Sequence, residues 1–394
     1  MRLPEKQSSI SLYFHIPFCT AKCGYCDFNS YALETLIEKN QVDHKNWASE
    51  YTDALIREMK NRVKTMQVEG RKVESVFFGG GTPSLFPPEE IQRILNTSKK
   101  LFNFVSNVEI SLEANPNSSD YNLFKKLKFA GINRISFGVQ SFNNKLLKNL
   151  DRVHSSADAR NAFYSAREAG FGNISIDLMF GIPFQTKEIA NSDLQTAIDL
   201  DPEHLSAYEL TIEPGTAFHA LHMKRELKGL INENLSLEMW MMRDRLLHEA
   251  GYEQYEISNF AKPGFVCRHN LNYWNRGDYL GIGAGAHTLI DDQRIWNHLR
   301  PDTYIKNSQS PTAGEEKMED KMKILGESLM LGLRLKDGIS LTKLKEKTGL
   351  DSEVLFQDQF KDFYKQKLLI KDKEKLKLTK RGMLLSNQIF SCLL

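Results

Sequence analysis

The chain has 394 residues, 41% of them hydrophobic and 26% charged, with a formal net charge of +2. That length holds two or three domains, and the composition is that of a globular protein. A net charge this small gives no overall attraction to nucleic acid or an acidic membrane surface, and no apolar run approaches the ~18 residues of a membrane span. The N-terminus carries neither an apolar signal core nor an Arg/Ser-rich transit pattern. Five cysteines, three of them clustered, do not make a disulfide framework, and in a reducing compartment such a cluster more often binds metal. The expectation is a cytoplasmic protein with no nucleic-acid partner and no transmembrane segment.

Short β-rich runs recur through the first 215 residues: SLYFHI (11–16), VESVFFGG (73–80), VEISLEA (108–114), RISFGV (134–139), ISIDLMFG (174–181) and HLSAYELT (204–211). Segments with apolar residues at helical spacing separate them. Ser118 and Asp120 fit one helix start; Gly131 and Gly170 fit two helix ends. Strands alternating with helices predict βαβ units and a parallel sheet; six units suit an open or partial barrel better than a closed eight-stranded one, and counting alone leaves a doubly wound sheet open.

The polar motifs follow the strands. A cysteine loop comes after the first, GGGTP after the second, Glu113 after the third and Gln140 after the fourth, while Asp177 lies late in the fifth. Parallel α/β folds build their reactive face at the carboxyl ends of strands, so these features point to one pocket. Residues 216–310 break the rhythm, with one strong helix and then an irregular stretch carrying HNLNYW (269–274). QSPTAGEE (309–316) reads as a linker. Residues 311–394 read as a small winged-helix-like module, a packing or lid unit rather than a DNA binder, because no Arg-rich recognition helix stands out. The expected domains are therefore 1–215, 216–310 and 311–394.

The cysteines Cys19, Cys23 and Cys26 form a C-x3-C-x2-C loop. Zinc is one reading, with His15 as fourth ligand of a Cys3His set. An iron–sulfur cube is the other, and three thiolates then leave one of its four irons open. A molecule with adjacent amine and carboxylate, such as the methionine end of S-adenosylmethionine, can chelate that iron.

Together with the aromatic Tyr25 before Cys26, this loop resembles the signature of the radical S-adenosylmethionine proteins. Y-x-H-I-P-F-C, GGGTP, E-x-N-P, G-V-Q-S and I-D-L-x-x-G-x-P appear in order and at spacings like those of the coproporphyrinogen-dehydrogenase-like branch. The resemblance covers nearly the whole chain. It implies an α/β fold with a partial (β/α)6 barrel, a mixed segment and the winged-helix-like module. It also implies a [4Fe–4S] cluster on Cys19, Cys23 and Cys26, and an S-adenosylmethionine pocket using Tyr13, Tyr25, Gly80, Gly81, Thr82, Glu113, Gln140, Arg152 and Asp177.

Within that branch two classes compete. One is the oxygen-independent coproporphyrinogen III oxidase, an enzyme; the other is a group of heme chaperones. The oxidase pattern has a further cysteine where this chain has Phe28, and a long extension where only twelve residues precede Tyr13. HNLNYW matches the HNxxYW signature of the chaperones, which implies heme as a further ligand. His269 is then the expected axial ligand, with Cys267 the second choice; His287 is expected instead near the S-adenosylmethionine pocket. The resemblance implies an acceptor protein for heme and an electron donor, and leaves open whether the chain is an enzyme. Another radical tailoring enzyme remains a third reading.

Overall fold

The structure, a computed structural model, describes residues 9–118 and 120–394, except for the side chain of Ser118. Strands β1 (Ser9–Ile16), β2 (Lys72–Gly80), β3 (Asn103–Ala114), β4 (Arg134–Gln140), β5 (Ile174–Phe180) and β6 (His204–Glu209) lie side by side in chain order. Every neighbouring pair is parallel. Parallel neighbours need long crossovers. These carry α1 (Trp47–Thr65), α2 (Pro88–Leu101), α3 (Tyr121–Ala130), α4 (Ser156–Glu168) and α5 (Lys187–Asp199).

Local chemistry sets the helix limits. α1 buries Tyr51, Leu55, Met59 and Val63, one residue per turn on one face. α3 starts where the Asp120 side chain accepts from Leu123 N and ends at Gly131, whose φ of 116° lies in the left-handed region. The expected Ser118 contribution to that cap lies outside the described side chains. α4 opens on a reciprocal cap, with Ser155 and Asp158 each accepting from the other's backbone.

The sheet continues beyond these six strands. After α6 (Glu233–Glu249), the short β7 (Glu253–Gln254) and β8 (Asn259–Ala261) pair antiparallel beside β6. The seven-residue helix α7 (Arg268–Trp274) follows. Then β9 (Tyr279–Ile282) joins β1 in parallel, and β10 (His287–Ile290), β11 (Gln293–Asn297) and β12 (Thr312–Lys317) extend the sheet antiparallel. Residues 216–310 thus extend the sheet on both sides. The β10–β11 turn is Asp291-Asp292, both left-handed at 49° and 62°, without the glycine that usually marks such a turn. The patch expected as a linker forms most of β12 instead. It is an edge strand, mostly exposed, and its polar composition is that of an edge facing water.

Glu58 of α1 ties the helix layer to the added edge. It is fully buried and accepts from Tyr304 Oη (2.6 Å), Asn297 Nδ2 (2.7 Å) and Gly283 N (2.9 Å), with Arg62 Nε at 3.4 Å. The last segment contains α8 (Lys321–Gly332), then β13 (Ile339–Ser340), α9 (Leu341–Thr348), α10 (Gln357–Lys365), β14 (Leu369–Asp372) and β15 (Lys375–Leu378). Its three strands form a separate sheet in the order β13-β15-β14. The apolar core of this module is continuous with that of the large sheet. Among the described residues no helix is long and apolar enough to cross a membrane.

Removing the Glu58 carboxylate strands three donors and one cation in a dry interior. Glu58→Ala should therefore cost about 3–5 kcal/mol, read as a lowered denaturant midpoint. A cost below about 1 kcal/mol would show that this hub does not join the two layers.

Candidate cofactor-binding site

One cavity of about 440 Å³ opens at the carboxyl ends of β2–β6, bounded on one side by the cysteine loop. Cys19, Cys23, Tyr25 and Cys26 of that loop stand in its wall, with Gly80, Gly81, Thr82, Glu113, Gln140, Arg152 and Asp177. The structure therefore gathers every residue expected at the S-adenosylmethionine pocket except Tyr13 and His287, and the expected heme ligand His269 also lies outside it. Tyr13 lies behind the wall, stacked on Phe77 and hydrogen-bonded to His15 Nδ1 at 2.9 Å.

His15 holds the base of the cysteine loop. Its Nε2 lies 2.8 Å from the carbonyl of Asn29, fourteen residues on, so both ring nitrogens are engaged. Burial lowers its pKa to about 4 and keeps the ring neutral. His15 is thus a structural clamp and not a fourth zinc ligand. Asn29 Nδ2 in turn donates to Ala284 O and Leu299 O, both at 2.9 Å. GGGTP packs on the other side of the loop. Gly81 N donates to Ile16 O and Thr82 N to Phe18 O, both at 2.8 Å. A β-carbon on Gly80 would fall 2.5 Å from His15 Cε1, and one on Gly81 would fall 2.7 Å from Phe18 O.

The donor set fits an iron–sulfur cube with an open iron. Three thiols face one cavity, and the nearest histidine is otherwise engaged. Among the described residues no three Cys, His, Asp or Glu side chains stand close enough to chelate a single ion, whereas thiolates on a cube bind different irons. Burial raises the Cys23 thiol, and Arg152, with Nη1 3.7 Å from its sulfur, opposes that shift. Arg152 also donates to Gly138 O.

The carboxylates are held differently. Glu113 Oε2 accepts from Gly80 N at 3.0 Å. Burial pushes Glu113 up to about 7; the Gly80 bond opposes this and the charge of Asp177 adds to it. Asp177 accepts from Ser136 Oγ at 3.2 Å, and burial also raises its pKa. Gln140 sits at φ 68°, an uncommon conformation for a non-glycine residue, and its Oε1 accepts from Tyr208 Oη at 2.7 Å.

His269 lies elsewhere. It is 1% exposed, stacked on Phe77, with Nδ1 2.9 Å from Ser75 Oγ and Nε2 3.0 Å from Tyr273 Oη. Burial lowers its pKa to about 3. Glu109 of β3 caps the start of α7, accepting from Arg268 N (3.1 Å), His269 N (3.3 Å) and Cys267 Sγ (3.5 Å). Cys267 and Asn270, not His269, reach the cavity floor. His287 is exposed on β10, stacked on Trp296, and is not in the cavity wall.

The floor includes residues that the motifs do not mark: Arg134, Ser136, His204 and Ser206, with Tyr208 higher in the wall. Their signal is the two-residue period of a strand. Arg134, Ser136, Gly138 and Gln140 share one face of β4; His204, Ser206 and Tyr208 share one face of β6.

Residues 13–195 match the family model of the Radical SAM superfamily, and residues 320–385 match that of the HemN C-terminal domain. The chain is 37% identical to "Heme chaperone HemW" of Haemophilus influenzae over 99% of both chains. It is 38% identical to the Bacillus subtilis protein of that name, over 98% of this chain and 99% of the other. The Escherichia coli protein of that name is 36% identical over 99% of both. In three dimensions the chain is similar to the Escherichia coli coproporphyrinogen III oxidase HemN, with a TM-score of 0.82 at 24% identity, covering 100% of this chain and 91% of that one. At that identity the likeness shows the fold alone.

The raised Glu113 pKa has a signed consequence. Between the ordinary glutamate value and about 7, the folded chain holds a proton that the unfolded chain has released, so stability falls as pH rises through that window. Glu113→Gln removes this proton exchange. The stability difference between variant and wild type should shift in the variant's favour between pH 5 and 7, measured by denaturant unfolding of ligand-free protein. A pH-independent difference would show that Glu113 is ionised throughout.

Proposed function

Because the chain belongs to the HemW heme chaperone family of radical S-adenosylmethionine proteins, we propose that it carries a [4Fe–4S] cluster and S-adenosylmethionine, binds heme and passes it to an acceptor protein. The observation that carries the cofactor half is the single cavity into which three thiols and the expected pocket residues converge. Its volume lies in the range of small-molecule sites. The heme half rests on the relatives' names and on HNLNYW. All five cysteines are unpaired thiols, which suits the reducing cytoplasm where we place the protein.

Cys19, Cys23 and Cys26 would hold the cluster, with S-adenosylmethionine taken up beside it in the same cavity. When bound, the cluster supplies an electron to the sulfonium, delivered by a donor protein. The chain's own residues bind and orient. The Arg152 fork would take the carboxylate, and the backbone at Gly80–Thr82 would let the ammonium approach without side chains in the way. Glu113 and Asp177 would accept from ribose hydroxyls, and Tyr25 and Gln140 close the wall. Phe28 stands at the cavity mouth, 61% exposed, where the oxidase pattern has a thiol. This departure favours a carrier over a decarboxylating enzyme.

His269 is arranged as a metal-ligating histidine would be, but capped. With its proton on Nδ1 it donates to Ser75, which donates to Ser11 Oγ at 2.8 Å. That orients the Nε2 lone pair, which then accepts from the Tyr273 hydroxyl. Heme ligation through Nε2 therefore requires the Tyr273 ring to turn aside and, because His269 is buried, α7 to move away from the sheet.

Anaerobic reconstitution with iron and sulfide, hemin titration and a coproporphyrinogen assay on one sample test these points together. Broad visible absorption should appear and be bleached by replacing Cys19, Cys23 or Cys26 with Ala. Stoichiometric zinc, with no iron or labile sulfide, would refute the cluster. His269→Ala should keep the cluster spectrum and lose most hemin affinity or shift the Soret band, whereas Tyr273→Phe, which uncaps Nε2, should bind hemin at least as well as wild type. An unchanged titration and Soret band in His269→Ala would move the ligand to Cys267. No protoporphyrinogen should form; its formation above a no-enzyme control would restore the oxidase reading.

A further inference from the structure

Cys267, the residue just before α7, stands in the wall of the cavity described above, and α7 ends at Trp274, in the wall of a second. The second cavity, about 270 Å³, lies between the end of α7, helix α8 and the C-terminal module. Its wall is rich in hydrogen-bond donors and cations. Trp274 Nε1 is buried and has no partner, and indole N–H can only donate. Ser328 of α8 is 5% exposed, and its buried hydroxyl has no partner either. Two such groups in one wall are unusual, because buried polar atoms are nearly always satisfied.

The charges on the wall have one sign. Lys343 and Lys347 stand one turn apart on α9, and Lys375 lies on β15. Among the described residues neither Lys343 nor Lys347 has an ion pair, and the nearest carboxylate to Lys375 is that of the exposed Asp337, at 3.7 Å. Arg276 also lines the cavity, but Asp292 and Glu327 already match its charge. No carboxylate belongs to the wall. The Arg334 guanidinium carbon lies 4.4 Å from the centroid of the Trp274 ring, a contact that helps hold the indole in place. A single buried water could satisfy the two orphan donors, but it would leave Lys343 and Lys347 without an ion pair among the described residues.

We propose that this second cavity binds an anionic group, a phosphate or carboxylate carried by a small molecule. Trp274 and Ser328 donate to its oxygens, and Lys343, Lys347 and Lys375 supply the charge. Hydrogen bonds to an anion are roughly twice as strong as neutral ones, so the two orphan donors have the most to gain from such a ligand. Two sources carry this chemistry: a free phosphate compound, and the propionates of a tetrapyrrole. Only the second rests on the heme reading above.

The test uses the full chain with inorganic pyrophosphate as the probe, followed by calorimetry and thermal melting. Wild type should bind pyrophosphate and melt at a higher temperature with it. Trp274→Phe, which keeps a ring and removes the N–H, and the double variant Lys343→Gln, Lys347→Gln should each weaken binding roughly tenfold or more. The two lysines are exposed, so the double variant reports even if Trp274→Phe lowers stability. Hemin and hemin dimethyl ester distinguish the sources. If propionates occupy the cavity, the variants lose affinity for hemin but not for the ester, and pyrophosphate competes with hemin. If a free phosphate compound occupies it, pyrophosphate binds and hemin titrations are the same in wild type and variants. The proposal is overturned if the variants bind pyrophosphate as tightly as wild type. It is equally overturned if wild type does not bind pyrophosphate and no variant changes the preference for hemin over its ester. Failure of heme binding altogether would leave the pyrophosphate result standing.

Discussion

A missing β-carbon at residue 80 governs where the cysteines sit. Gly80 has φ 118° and lies against the ring of His15, so any larger residue meets both a strained backbone and a clash. With that contact open, His15 can reach back to Asn29 O and close the loop that carries Cys19, Cys23 and Cys26. Asn29 then spans to Ala284 and Leu299, and Tyr51 Oη donates to His15 O while accepting from Ala284 N. The cysteine loop is thereby fastened to β2 on one side and to the added edge of the sheet on the other. Three thiols on a free loop would have no fixed relation to Glu113 or Arg152; here the same clamp positions all of them.

The cavity mixes charges that would be costly if buried singly. Arg152 lies beside Cys23 near the mouth, and Arg134, 2% exposed, shares the floor with Asp177. Glu113 is the group least held by this balance. Its pKa near 7 leaves its proton free to leave or stay according to what approaches it. A ribose hydroxyl, which donates, favours the ionised carboxylate, so ligand binding and loss of the Glu113 proton support each other.

Much of this was legible in the sequence because the informative features are local. Strand patterns, GGGTP and the cysteine spacing lie within windows of a few residues, and the parallel sheet follows from their alternation. The edge strands were not legible. β7 and β8 span two and three residues, and β12 is polar because it faces water. The role of His15 was hidden for another reason. Its partner Asn29 has no motif of its own, and only the fold shows that a histidine near three cysteines is fastening a loop. His269 shows the same difficulty. HNLNYW marks a chemical capacity, but whether Nε2 is presented or capped depends on Tyr273, one helical turn away, and on Ser75, which comes from β2 nearly two hundred residues earlier.

α7 is the element through which these features meet. It has seven residues, too few to be stable alone, so its position is set by what it touches. Glu109 caps its start, Ser75 and Phe77 hold His269 in its first turn, and Arg334 covers Trp274 at its end. One face of this short rod supplies Cys267 and Asn270 to the first cavity, and its far end supplies Trp274 to the second. A displacement that frees His269 from Ser75 and Phe77 cannot leave both ends unmoved, because a seven-residue helix shifts as a body. If the two proposed ligands bind, they act on one equilibrium, the docking of α7 against β2 and β3. Each biases the other only to the extent that it distinguishes docked from displaced.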